Sequence, residues 1–200
     1  MKLKQLFSAV VLAGTVTAVA AAPEIGAPAP DFTVVASHGQ THSLADFAGK
    51  NIILEWTNHE CPFVVKHYGS DNMQELQQHF GEAEVVWLTV ISSKPGSQGH
   101  VSPEQANELT TNRGAHPTAV LLDESGDMGR AYDAKVTPHM YVIGTDGNLL
   151  YMGGIDSIPT ANPADIPRAE PYLANAANEV LAGQPVSKPV TRPYGCSIKY

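Results

Sequence analysis

The chain has 200 residues, 43% of them hydrophobic and 16% charged, with 20 acidic against 12 basic side chains and a formal charge of −8. Length and apolar content fit one domain with a well-filled core. The acidic balance argues against a nucleic-acid or anionic-membrane binder, because neither partner would gain by counterion release or surface attraction.

The chain opens MKLKQLFSAVVLAGTVTAVAAAPE: two lysines, an apolar run from Leu6, and small residues ending Ala18-Val19-Ala20. That layout predicts a secretory signal peptide over residues 1–22, too short and too interrupted by Gly14, Thr15 and Thr17 to span a bilayer comfortably. Cleavage is expected near Ala20 to Ala22, with Ala20 or Ala21 preferred because Pro23 is a poor first residue of the product. Loss of Lys2 and Lys4 makes the mature chain more acidic still, and no stable membrane insertion is expected after cleavage. Export, with the bacterial periplasm as the expected location, also sets the redox context. Thiols outside the cytoplasm tend to be oxidised, so the only two cysteines, Cys61 and Cys196, are a candidate disulfide in at least one of their states.

DFTVVAS and QTHSL predict two strands around a turn at His38-Gly39, followed by a helical turn over Leu44 to Phe47. NIILEWT, Asn51 to Thr57, is an apolar run that reads as a central buried strand and delivers the chain to Cys61. Pro62 suits the first position of a helix. The interruption at Gly69-Ser70-Asp71-Asn72 predicts one kinked helix or two successive ones from Pro62 onward, stopping at Gly81. Glu84 to Ser92 is a second interior strand, and Ser102 with Pro103 caps a helix through Leu109. TAVLLDE is a strand, Ser125 to Asp133 a short helix or turn, and Thr137 to Gly144 a further strand. The turn Thr145-Asp146-Gly147-Asn148 leads into NLLYMGG, which forms a hairpin with it. A proline-rich stretch from Ile158 to Pro171 precedes a last helix, Tyr172 to Leu181. This order describes an α/β domain with a mixed central sheet covered by helices on both faces and an N-terminal β-hairpin extension. The domain is expected over residues 23–182. The proline-rich tail, residues 183–200, is expected to run extended rather than packed, carrying Cys196.

Cys61 at a helix start would have free backbone N–H groups and the positive end of the helix dipole to stabilise a thiolate, with His59, Lys66 and His67 adding positive charge if they turn toward it. A thiolate there can attack a peroxide oxygen or a disulfide sulfur, and Cys196 is the only second thiol in the chain able to resolve the product. The alternative is a permanent Cys61–Cys196 staple, worth up to about 5 kcal/mol for a loop of this length. A metal reading is also open, with His59, Cys61 and His139 as the residues able to converge, although no metal or cofactor is expected. Glu55 and Glu60 are read as solvated or supporting acids, since no catalytic partner set surrounds them.

GAPAPDFTVVASHGQTHSLADFAGK, the strand leading to WTNHECP, the VTPHMYVIGTDGNLLYMGG segment and the terminal helix together resemble the thioredoxin-fold redoxins of the AhpC/TSA, peroxiredoxin-like, superfamily. The likeness covers residues 24 to 182 and implies a thioredoxin-like fold. It implies a thiol oxidoreductase with Cys61 as nucleophile, a hydroperoxide or disulfide substrate and a thioredoxin-like electron donor. Thr57, His59, Pro62, Thr137 and Pro138 would support the site, with Pro138 a cis proline beside Cys61. Departures are clear. Val64 stands where a C-x-x-C reductase has its second cysteine, Val65 where copper carriers of this fold have theirs, and Thr57 lies one place farther from Cys61 than the peroxiredoxin threonine. Where peroxiredoxins commonly place an arginine before a strand, this chain has Thr137-Pro138-His139, with Arg113 and Arg130 as the available substitutes. Copper or soft-metal delivery, and a silent redoxin shut by its disulfide, remain alternatives.

Overall fold

The computed structural model describes residues 22–200. The expected signal peptide, residues 1–22, lies outside the described residues apart from Ala22, and among the described residues no helix is long and apolar enough to cross a membrane. Among the described residues there are nine strands and five α-helices. The first hairpin pairs β1 (Thr33–Val35) with β2 (Thr41–Ser43) and leads into a 3-10 turn, Leu44–Phe47. Next come β3 (Ile52–Trp56), α1 (Pro62–Tyr68), α2 (Asn72–Glu82) and β4 (Val86–Ile91). They are followed by α3 (Pro103–Asn112), β5 (Ala119–Leu122) and α4 (Asp127–Ala131). The last strands of the domain are β6 (Val136–Thr137), β7 (His139–Ile143) and β8 (Leu149–Gly153), and then come α5 (Tyr172–Leu181) and β9 (Cys196–Ser197).

The central sheet has the order β5-β4-β3-β7-β8. β3, β4 and β5 run parallel, while β7 pairs antiparallel with β3 and β8 antiparallel with β7. Every residue of β3 is buried, as its unbroken apolar run demands of a strand covered on both faces. Its pleat divides the core in two. Leu54 and Trp56 face one side, with Tyr132 and Tyr141 set 5.4 and 5.0 Å from the Trp56 ring. Ile53 faces the other, where α1, α2 and α5 contribute Val64, Met73, Phe80, Leu173 and Ala176 around Cys61.

Local chemistry explains the boundaries. Two helices form after Cys61: α1 closes at Gly69, and Asp71, with a left-handed φ of 60°, turns the chain into α2. α3 begins in a capping box, with Ser102 Oγ accepting from Gln105 N at 3.3 Å and Gln105 Oε1 accepting from Ser102 N at 2.9 Å. The single strand expected over Thr137 to Gly144 is divided at Pro138, which has no N–H to pair, and β6 and β7 belong to different sheets. The proline-rich stretch also holds a 3-10 helix, Pro163–Arg168, whose capping Asn162 side chain accepts from Ala164 N at 3.1 Å.

The tail corrects an expectation: it is extended but docked. Met152 N donates to Pro189 O and Thr191 N to Met152 O, tying the tail to β8. β9 pairs antiparallel with β6, Ile198 N donates to Lys135 O, and the Tyr200 hydroxyl donates to Ala134 O at 2.6 Å. Composition shows that a Pro-rich segment cannot fill a core of its own; it does not show that its backbone can complete another sheet's hydrogen bonds.

Candidate functional site

Cys61 stands at the N-cap of α1 with extended backbone, φ −76° and ψ 122°, and Pro62 takes the first helical position, where its missing N–H costs nothing. The Cys61 carbonyl accepts from Val64 N and Val65 N, both at 2.9 Å, which starts the helix. The side chain is fully buried. Its neutral thiol donates to the Thr137 carbonyl at 3.2 Å, and the Thr137–Pro138 peptide is cis.

The tail brings the second thiol to this point within the same chain. In the β6–β9 ladder Thr137 is opposite Cys196, and the Thr137 hydroxyl donates to Cys196 O at 3.5 Å. Gly195 makes the approach possible, because a Cβ there would collide with the Thr137 carbonyl and its φ is 141°. Both cysteines are free thiols.

The pair is electrically unequal. Burial pushes the Cys61 thiol up, but hydrogen bonds from the Cys196 thiol, the Thr137 hydroxyl and the Val64 and Cys196 amides bring it below the ordinary range. Cys196 moves the other way: burial raises it, and so do its hydrogen bond to Cys61 and the Cys61 charge. The shared hydrogen bond favours ionisation at Cys61 over Cys196.

The positive charge expected from neighbouring side chains does not materialise. His59 is held below its usual pKa by burial and by Arg113, whose guanidinium donates to the His59 carbonyl at 3.1 Å, so near neutrality the ring adds no charge. Burial lowers His67 to about 4. Lys66 Nζ is committed to Asp156, at 3.1 Å, and to Ile158 O and Tyr194 Oη, both at 3.2 Å. Hydrogen bonds, not cations, lower the Cys61 thiol.

Thr57 lines a separate cavity of about 30 Å³ with His59, Tyr68, Ala106, Leu109 and Arg113, and Cys61 is not part of that lining. Among the described residues the buried Thr57 hydroxyl meets no hydrogen-bond partner within normal distance. Pro62, Thr137 and Pro138 are grouped with Cys61 and Cys196, whereas Thr57 and His59 form this adjoining pocket. His59, Cys61 and His139 do not converge as a metal site; among the described residues no group of three or more His, Cys, Asp or Glu side chains does so.

Sequence reasoning misplaced one acid, Glu55, and missed a cluster. Glu55 is fully buried on β3, and its carboxylate accepts from Trp87 Nε1 at 2.9 Å, Tyr68 Oη at 2.9 Å, Thr89 Oγ1 at 3.2 Å and Gln77 Nε2 at 3.3 Å. An acid inside an otherwise apolar strand was the available signal. Glu60 accepts from Gly99 N at 2.7 Å and fastens the loop before α3. The cluster of Lys66, His67, Asp156 and Tyr194 had no local signature, since its members are up to 128 residues apart.

A model of the AhpC/TSA family matches residues 25–152. No curated protein matches the chain. Among solved structures, an uncharacterized conserved protein from Geobacillus kaustophilus is 24% identical, with a TM-score of 0.74, over 88% of this chain and 92% of that one. A hypothetical protein from Sinorhizobium meliloti is 22% identical, with a TM-score of 0.75, over 90% and 96%. The thioredoxin domain of a thiol-disulfide oxidoreductase from Bacteroides vulgatus is 18% identical, with a TM-score of 0.51, over 64% and 87%. These likenesses show a thioredoxin-like fold.

Proposed function

The chain belongs to the AhpC/TSA family, which supports a thiol oxidoreductase of the redoxin kind, and we propose that Cys61 is its nucleophile and Cys196 its resolving thiol. The observation that carries this reading is the placement of the pair: Cys61 at the N-cap of α1 bonded to the Thr137 carbonyl, with Cys196 opposite Thr137 in the β6–β9 ladder, an arrangement whose hydrogen bonds lower Cys61.

With a disulfide substrate, the Cys61 sulfur attacks one substrate sulfur, the substrate S–S bond breaks and the other sulfur leaves as a thiol. Cys196 then attacks the Cys61 sulfur, a Cys61–Cys196 bond forms and the second substrate thiol leaves. Two electrons pass to the substrate, and a thioredoxin-like dithiol donor restores the pair. With a hydroperoxide, the Cys61 sulfur attacks the terminal oxygen, the O–O bond breaks and an alcohol leaves. The resulting sulfenic acid condenses with the Cys196 thiol, forming the same disulfide and releasing water. Thr137, Pro138 and Pro62 frame the sulfur. The protein acts after export, in the bacterial periplasm.

The test offers reduced protein a disulfide peptide and, separately, hydrogen peroxide. Wild type consumes at least one, Cys61→Ser consumes neither, and Cys196→Ser stops at a mixed disulfide or sulfenic acid visible by mass. Unchanged turnover in Cys61→Ser refutes the reading.

A further inference from the structure

Cys61 has no exposed surface, and the tail lies over it. Any partner of the sulfur therefore needs that tail to move, and what holds the tail decides how the site opens. This inference rests on the reading of Cys61 and Cys196 as a reactive pair.

Tyr194, two residues before Cys196, ends in a buried charged cluster. Its hydroxyl donates to Asp156 Oδ1 at 2.5 Å, accepts from Lys66 Nζ at 3.2 Å and lies 3.3 Å from His67 Nε2. Lys66 has a fully buried side chain and Asp156 a 6% exposed one, and their ion pair spans 3.1 Å. Lys66 Nζ thus has three acceptors for its three protons: Asp156, Ile158 O and Tyr194. Asp156 Oδ1 also accepts from Ile158 N at 3.0 Å, and Asn72 Nδ2 fixes the far side of His67 at 2.9 Å. The Tyr194 ring meets Phe63 edge-on, with centroids 5.7 Å apart. Beside it a cavity of about 420 Å³, lined by Val136, Tyr172, Arg192 and Gly195, leaves room for displacement.

The arrangement is directional. Phe63, Lys66 and His67 all belong to α1, the helix that starts at Cys61, so one short rigid element carries the nucleophile and grips the residue just upstream of its resolving partner. Removing the Tyr194 hydroxyl leaves Lys66 and Asp156 still paired.

We propose that Lys66, His67 and Asp156 form a buried anchor for Tyr194 that positions Cys196 against Cys61, and that release of this anchor is what admits a partner to the Cys61 sulfur. Tyr194, Lys66 and Asp156 are positioning residues.

Two readouts on reduced full-length protein test this: the rate of Cys61 alkylation by iodoacetamide, and the Cys61–Cys196 disulfide equilibrium against glutathione. Tyr194→Phe keeps the ring and loses a hydroxyl bonded to charged groups. It should speed alkylation, and weaken the disulfide against glutathione, by about tenfold each. A residue that only stabilises the fold would lower the melting temperature and move neither. Should Tyr194→Phe misfold, Asp156→Asn carries the same two readouts. Unchanged rate and equilibrium, in a protein whose wild type still forms the disulfide, overturn the anchor and leave the thiol reading standing. A wild type that forms no Cys61–Cys196 disulfide in oxidised glutathione overturns the thiol reading itself.

Discussion

At the scale of single residues, the proposed nucleophile is tuned by its partner thiol. The strongest influence favouring the Cys61 thiolate is the hydrogen bond from Cys196, and Cys61 in turn raises Cys196 by accepting that bond and by its charge. Each group therefore reports on the other. Cys196→Ala, in a tail still held by Tyr194 and by Ile198, should move the Cys61 titration upward toward that of an ordinary thiol. Cys61→Ala should move Cys196 downward, leaving only the effect of its own burial. Thiolate absorbance against pH reads both, and a Cys61 midpoint indifferent to Cys196→Ala would place the activation elsewhere. Sequence alone made Cys61 legible, because a strand, a lone cysteine and a proline are consecutive there, and made Pro138 legible through the family likeness. The backbone amides expected at the sulfur are there, but the positive side chains offered beside them are not. Histidines beside a cysteine suggest positive charge, but whether a ring is protonated depends on burial and on groups such as Arg113, which meets His59 across 54 residues.

At the scale of elements, the tail behaves as a strand added to a finished domain. The five-stranded sheet closes without it, and β9 contributes only Cys196–Ser197 to a separate two-stranded pairing. Its seat is cut by glycines: at Gly129 a Cβ would strike the Tyr200 ring, and at Gly195 it would strike the Thr137 carbonyl. Gly195→Ala should therefore detach β9 while the domain stays folded, costing on the order of 1–3 kcal/mol of local rather than global stability. Hydrogen exchange checks it: the Ile198 amide, bonded to Lys135 O, should lose protection, while amides of β3 and β4 keep theirs. Loss of protection across the whole sheet would show that the tail is part of the cooperative core. The strands and helices of the domain were legible because burial imposes a period on the side chains. The docking of the tail was not, since most of its partners are backbone groups of β6, β8 and Lys135, which leave no imprint on residue type.

At the scale of the whole molecule, two buried histidines on opposite sides of the sheet set the response to acid. His67 is lowered to about 4 and His139 to about 3, in both cases by burial first, with Lys66 and Lys135 adding to the effect and Asp156 and Asp133 opposing it. In the unfolded chain both take up protons near 6.5. Because their folded pKa values are depressed, their contribution to stability is complete above pH 6.5. It is lost as pH falls from there toward about 4 for His67 and about 3 for His139. Glu55 works in the opposite sense. Burial raises its folded pKa, so the fold gains relative stability as pH falls through that raised value toward 4.5. Each unmatched proton contributes about 1.4 kcal/mol per pH unit, and the lowered histidines, His59 included, outnumber Glu55 where the windows overlap. Urea midpoints should fall across that range at neutral-pH m-values. His139→Gln should flatten the fall, and Glu55→Gln should steepen it by removing the opposing group. Midpoints that stay level between pH 6.5 and 4.5 would mean that the two rings already carry charge in the folded state. The same proton has a local consequence, since a charged His67 sits beside Lys66 in the cluster that holds Tyr194. Acidification toward pH 4 should therefore loosen the tail before the domain unfolds, and Cys61 alkylation, corrected for its thiolate fraction, should rise at a pH where the sheet amides are still protected.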